Sequence, residues 1–148
     1  MNEPLVSFLH WKPWSQRPRL SDCLDVPDNF DLGGLYLFAR FPECPPAANL
    51  KASHLAPEVI YIGMSTRLTG RTQNHEKVAR SYKTKFDDDQ KCQSLYYAHW
   101  DFGLGWSSWD LRDREGAGAK RAYLQYAERK LIWEYARAFN RLPLLNKT

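Results

Sequence analysis

The sequence predicts a small α/β domain of the α+β kind: an antiparallel sheet of about three strands flanked by helices. Three observations carry this. Three short runs rich in β-branched and aromatic residues lie at Gly34 to Arg40, Val59 to Gly63 and Ser94 to Phe102, and such residues suit a pleated, half-buried surface. A long apolar stripe at helical spacing runs through Ala119 to Asn140. The chain has 148 residues, enough for one domain with its own core.

Composition narrows the classes of function. Hydrophobic residues make up 43% and charged residues 26%, ordinary proportions for a globular protein. Aromatics are high at 14%; they build cores and also stack on bases. The net charge of +4 allows an anionic partner without requiring one. Cys23, Cys44 and Cys92 form no CxxC pair, which argues against a zinc site and a disulfide framework and for reduced thiols in a cytoplasmic protein. No apolar run approaches a membrane span, and the N-terminus lacks the apolar core of a signal peptide.

Residues 1–33 read as an N-terminal arm preceding a domain at 34–148. Leu5 to Leu9 suits a short strand. The segment HWKPWSQRPR is basic, broken by proline, and carries Trp11 and Trp14. It either lies along nucleic acid with its indoles stacked, or packs its tryptophans on the domain. Packing is favoured, because exposed tryptophans without a partner are costly. In Gly34 to Arg40, Leu35, Leu37 and Ala39 make a purely apolar face that should look into the core. Tyr36 and Arg40 then lie on the other face, where a hydroxyl can meet solvent or substrate. The proline-rich stretch from Phe41 to Glu58 is an irregular connection, long enough to suggest a functional or mobile loop.

The strand from Val59 to Gly63 should run antiparallel to the first. Gly63 permits a bend or a close approach. Ser65 or Thr66 can cap a following helix, on which Arg67, Arg71 and His75 recur at i, i+4, i+8 along one stripe. From Arg67 to Lys85 six basic residues (Arg67, Arg71, Lys77, Arg80, Lys83 and Lys85) face one acid, Glu76. Such a stretch suits contacts to phosphates and salt-dependent binding. Asp87, Asp88 and Asp89 invite a metal but read better as a solvated loop. Gly116 and Gly118 weaken any helix between Trp109 and Gly118. In the last helix, Glu128 sits within the stripe of Leu124, Ala127, Leu131, Ile132, Tyr135 and Phe139. A carboxylate there is expensive unless it is paired or bound to a metal, and the pattern alone favours neither.

Gly34-Leu35-Tyr36 followed by Tyr61-Ile62-Gly63 resembles the paired motif of the GIY-YIG nucleases. The resemblance covers Gly34 to Asn146. Leu35 departs from the family's isoleucine, and the long connection between the tripeptides is closest in style to the restriction-endonuclease branch. It implies a short antiparallel sheet carrying both tripeptides and a helix carrying an essential arginine, Arg71, with His75 one turn on. It further implies a metal-binding glutamate, Glu128 in YAERKLIWEY, and a late asparagine, Asn146 in PLLN. The implied activity is a metal-dependent endonuclease acting on duplex or branched DNA with Mg²⁺ or Mn²⁺. Tyr36, Tyr61, Arg71, His75, Glu128 and Asn146 would be its site residues, and Arg67, Lys77, Arg80, Lys83 and Lys85 its further DNA contacts. A homodimer is compatible with this reading. The alternative is a non-cleaving nucleic-acid-binding module on the same fold.

Overall fold

The computed structural model describes residues 3–14, 33–65, 94–101 and 114–146. They form four strands and one helix in the order β1 (Lys12–Pro13), β2 (Gly34–Arg40), β3 (Val59–Ser65), β4 (Leu95–Asp101) and α1 (Arg114–Phe139). The strands build one antiparallel sheet in the order β1-β4-β2-β3. The α+β class is as the sequence predicts, but the sheet has four strands rather than three. The fourth comes from the N-terminal arm: Lys12 and Pro13 pair with Tyr97 and Tyr96. A strand this short carries no periodicity to read, and Pro13 is tolerated because β1 lies at the sheet edge. Leu5 to Leu9, expected as a strand, forms none; His10 makes only an isolated bridge to Lys51.

Alternation along the strands separates two buried layers. Leu35, Leu37 and Ala39 from β2, Ile62 from β3, and Ala98 and Trp100 from β4 meet Leu124, Ala127, Leu131 and Tyr135 of α1. This is the core expected of the first face of β2 and of the helical stripe. The other sheet face is also closed. Tyr36, Phe38, Ile60, Leu95 and Tyr97 form a second cluster with Trp14, whose indole meets Phe38 edge-on at 5.1 Å and Tyr97 at 5.9 Å. Trp11 joins the first cluster. Both arm tryptophans therefore pack on the domain and do not stand open for stacking.

The strand ends follow from local chemistry. Gly33 precedes β2 with φ of 80°, a left-handed conformation that glycine adopts without a Cβ clash. A register shift between Phe38 and Ala39 leaves Ile60 unpaired in β3, which returns Val59 to the α1 side. Asn140 ends α1 in the left-handed region, with its N–H donating to the Ala136 carbonyl at 2.8 Å. The helix begins at Arg114, earlier than the expected Ala119, despite Gly116 and Gly118.

The connection between β2 and β3 is tied to α1. His54 Nε2 lies 2.9 Å from Glu134 Oε2. The Pro57 carbonyl accepts from the Tyr135 hydroxyl at 3.3 Å and from Arg141 at 3.2 Å. No helix among the described residues is long and apolar enough to cross a membrane.

Candidate functional site

The site is organised by β3, the edge strand that carries the second tripeptide. Its partner β2 carries the first, and the register sets Tyr36 opposite Gly63 and Phe38 opposite Tyr61. The Tyr36 and Tyr61 rings lie 5.9 Å apart with their planes tilted by 32°. The Tyr36 phenol lies over Gly63. A Cβ built there would stand 2.5 Å from Tyr36 Cζ and 2.6 Å from its hydroxyl oxygen, distances that only a missing side chain permits. The glycine is therefore needed for a close approach of side chain to backbone.

Tyr36 is 6% exposed. Tyr36 does lie on the face opposite the α1 core, as alternation predicts, but that face is packed rather than laid open to solvent. Period-two alternation assigns Tyr36 to the second face but does not reveal that Trp14 and the neighbouring rings close that face.

Asn146 reaches the outer edge of β3. Its Oδ1 accepts from the Ile62 N–H at 2.9 Å, and its Nδ2 donates to the Ile62 carbonyl at 2.9 Å. One residue earlier, the Leu145 N–H donates to the Ile60 carbonyl at 2.7 Å. The amide side chain thus satisfies both backbone groups of Ile62 as a neighbouring strand would, and it covers an edge that would otherwise be open. Only a neutral side chain with both a donor and an acceptor can do this. Here Asn146 works on the backbone and fixes the position of the second tripeptide.

Glu128 stands half-buried on α1, between the buried positions Leu124, Ala127 and Leu131. Burial lifts its carboxyl above the ordinary value of 4.5; a hydrogen bond donated by the Met64 backbone N–H and the charge of Arg129 pull in the opposite direction. Burial is the largest of these influences. The carboxylate is thus kept at a cost that one amide and one neighbouring cation offset only in part.

Three successive residues of β3 are met by three of the residues singled out from sequence: Ile62 by Asn146, Gly63 by Tyr36 and Met64 by Glu128. The approach is from different sides. Tyr36 lies on the sheet face away from α1, Glu128 comes from the α1 side, and Asn146 comes along the edge. Arg71 and His75, with Arg67, Lys77, Arg80, Lys83 and Lys85, lie outside the described residues, as do Asp87 to Asp89.

His99 is a candidate that the sequence reading passed over. The register places it directly opposite Tyr36 on β4, and its ring stacks on Tyr97 at 6.3 Å with planes 10° apart. Alternation through Leu95, Tyr97 and His99 was the available signal.

Glu128 offers one hard oxygen ligand, the donor type that a divalent cation such as Mg²⁺ takes. Mg²⁺ is commonly held by one or two carboxylates with water and substrate phosphate completing the shell. A half-buried carboxylate with raised proton affinity is a group that such a cation would relieve of its desolvation cost. Among the described residues no three His, Cys, Asp or Glu side chains gather into an all-protein cage. No family model matches the chain, and no curated protein or solved structure matches it.

Proposed function

We propose that this chain is a metal-dependent endonuclease of the GIY-YIG type that hydrolyses phosphodiester bonds of DNA, duplex or branched. The observation that carries the proposal is that Asn146, Tyr36 and Glu128 each meet one of three successive residues of β3, Ile62, Gly63 and Met64, from the edge, from one sheet face and from the other. In-line hydrolysis needs a positioned water, charge stabilisation at the phosphate and help for the leaving alkoxide. Arg71 would hold a non-bridging phosphate oxygen through its guanidinium fork. Glu128 would hold one Mg²⁺ or Mn²⁺, which supplies charge stabilisation to the phosphate and the leaving oxygen when bound. Tyr36 would take the proton from the attacking water and His75 would accept it onward, while Tyr61 positions the water or the phosphate. Asn146 would act at one remove, by holding the Tyr61-Ile62-Gly63 backbone. Arg67, Lys77, Arg80, Lys83 and Lys85 would contact further phosphates.

A second reading has one observation in its favour. Tyr36 is buried, and a buried phenol suits a domain that binds nucleic acid without cutting it. Incubation with duplex, branched and single-stranded DNA, in Mg²⁺ and in EDTA, separates the two. The endonuclease reading expects cleavage in Mg²⁺ and none in EDTA. It also expects loss of cleavage in Arg71→Ala and a strong fall in rate in Tyr36→Phe. Undiminished cleavage in EDTA overturns the role of Glu128 as a metal ligand. Tight, salt-sensitive binding with no cleavage of any substrate selects the binding module.

A further inference from the structure

The outer face of α1, turned away from the sheet, has a chemistry of its own. Trp133 is 62% exposed and Tyr126, which Tyr123 and Lys130 flank, is 50% exposed; two large open rings on one helix face make a patch that invites a partner. They stand two helical turns apart, with Arg129 and Lys130 between them and the exposed Arg137 one turn beyond Trp133. Tyr126, Arg129, Lys130 and Trp133 line one shallow depression. Lys130 Nζ sits 5.9 Å from the Tyr126 ring centroid.

Charge on this face is mainly basic. The two acids of this part of the helix turn elsewhere: Glu128 takes the Met64 amide and Glu134 takes His54. Glu3 comes within 3.7 Å of Lys130, both side chains being about half exposed, an ion pair of little strength at a solvated surface. Trp133 therefore lies between guanidinium groups four residues before and four residues after it, each about 6 Å along the axis.

We infer that this stripe of α1 binds a single strand of nucleic acid, with unpaired bases stacked on Trp133 and Tyr126 and phosphates on Arg129, Lys130 and Arg137. The choice of partner follows from what each candidate offers. A single strand offers anionic charge and free base faces together, and both are matched here. A duplex offers the charge but keeps its bases stacked on one another, which leaves the indole unused. An acidic peptide offers the charge without a ring for Trp133. The inference rests on α1 alone and does not require the endonuclease reading.

The test measures fluorescence anisotropy of labelled oligothymidylate and of a labelled hairpin duplex with the full chain in EDTA, where the proposed metal plays no part. Trp133→Ala should weaken oligothymidylate binding about tenfold and leave duplex binding unchanged, while Trp133→Phe should retain most of the affinity. Arg129→Ala should weaken binding and flatten its salt dependence. Should Trp133→Ala lose its cooperative melt, Tyr126→Ala carries the same comparison. Equal affinity of wild type and Trp133→Ala for oligothymidylate overturns the inference, as does an equal loss on both probes. Polyglutamate competing as well as oligothymidylate assigns the face to an acidic protein. Trp133-dependent self-association in sedimentation, with binding unchanged, assigns it to a second copy of the chain. A chain that cuts nothing but shows the Trp133 dependence leaves this inference standing and removes only the nuclease proposal.

Discussion

At the scale of single residues, the contact between Tyr36 and Gly63 is the most exacting feature of the site. A Cβ at position 63 would stand 2.5 Å, 2.6 Å and 2.8 Å from three atoms of the phenol. The ring cannot simply swing aside, because Phe38 and Tyr61 lie against it at centroid distances of 5.8 Å and 5.9 Å. Gly63→Ala should therefore cost about 1–3 kcal/mol, the usual range for overpacking a filled site. Tyr36→Ala makes room for the new methyl, so adding Gly63→Ala to it should cost almost nothing. Denaturant melts of the four chains in that cycle check the coupling. Additive losses would show that the backbone, and not the phenol, requires the glycine. The need for a glycine at 63 was legible in the sequence as a break after a β-branched run. The identity of what approaches it was not, because that depends on register across to β2. The burial of Tyr36 was not legible either, since it depends on Phe38, Tyr61 and Gly63 meeting it across the β2–β3 register, in a cluster that Trp14 of the proline-broken arm joins.

At the scale of elements, strands with seven residues of alternating or β-branched character were read within a residue or two of their observed ends. β1 was not, because two residues hold no period and its pairing is decided by β4. The helix shows how local preference is overruled. Gly116 and Gly118 argued for a start near Ala119, yet α1 begins at Arg114; glycine propensities of about 1 kcal/mol each do not outweigh continuation of a helix already held on its apolar side by the sheet. Gly118 is exposed, and nothing lies within 4 Å of where its Cβ would be. Gly118→Ala should therefore gain about 0.5–1 kcal/mol through reduced freedom of the unfolded chain, read as a higher denaturant midpoint at unchanged slope. A lower midpoint would mean that the first turns of α1 need glycine for a contact of their own. The edge of β3 is a second element-scale device. The tail after α1 covers it through Leu145 and Asn146, so the strand that carries the second tripeptide is held on both sides.

At the scale of the whole molecule, the sheet order was out of reach from sequence, because β4 inserts between β1 and β2 through pairings distant along the chain. The position of Glu128 on the core side of α1 was legible from the helical stripe; its amide partner at Met64 was not. That position ties global stability to the charge at one carboxylate. Unfolded, Glu128 titrates near 4.5, and folding raises that value. Between the two values the folded chain holds more protons than the unfolded one, so its stability falls as pH rises through the window. The favourable contribution of the protonated form is complete below 4.5 and gone above the raised value. Metal-free at neutral pH, Glu128→Gln should then melt at or above the wild type, since the amide keeps an acceptor for the Met64 N–H and sheds the desolvated charge. Below pH 4.5 the two should melt alike. If Glu128 anchors a divalent cation, Mg²⁺ binds the folded wild type alone and should raise its melting temperature with concentration, leaving Glu128→Gln unmoved. An equal Mg²⁺ response in both chains would place any cation elsewhere. A Glu128→Gln chain that melts well below the wild type at neutral pH would make the carboxylate a structural partner whose charge the fold requires.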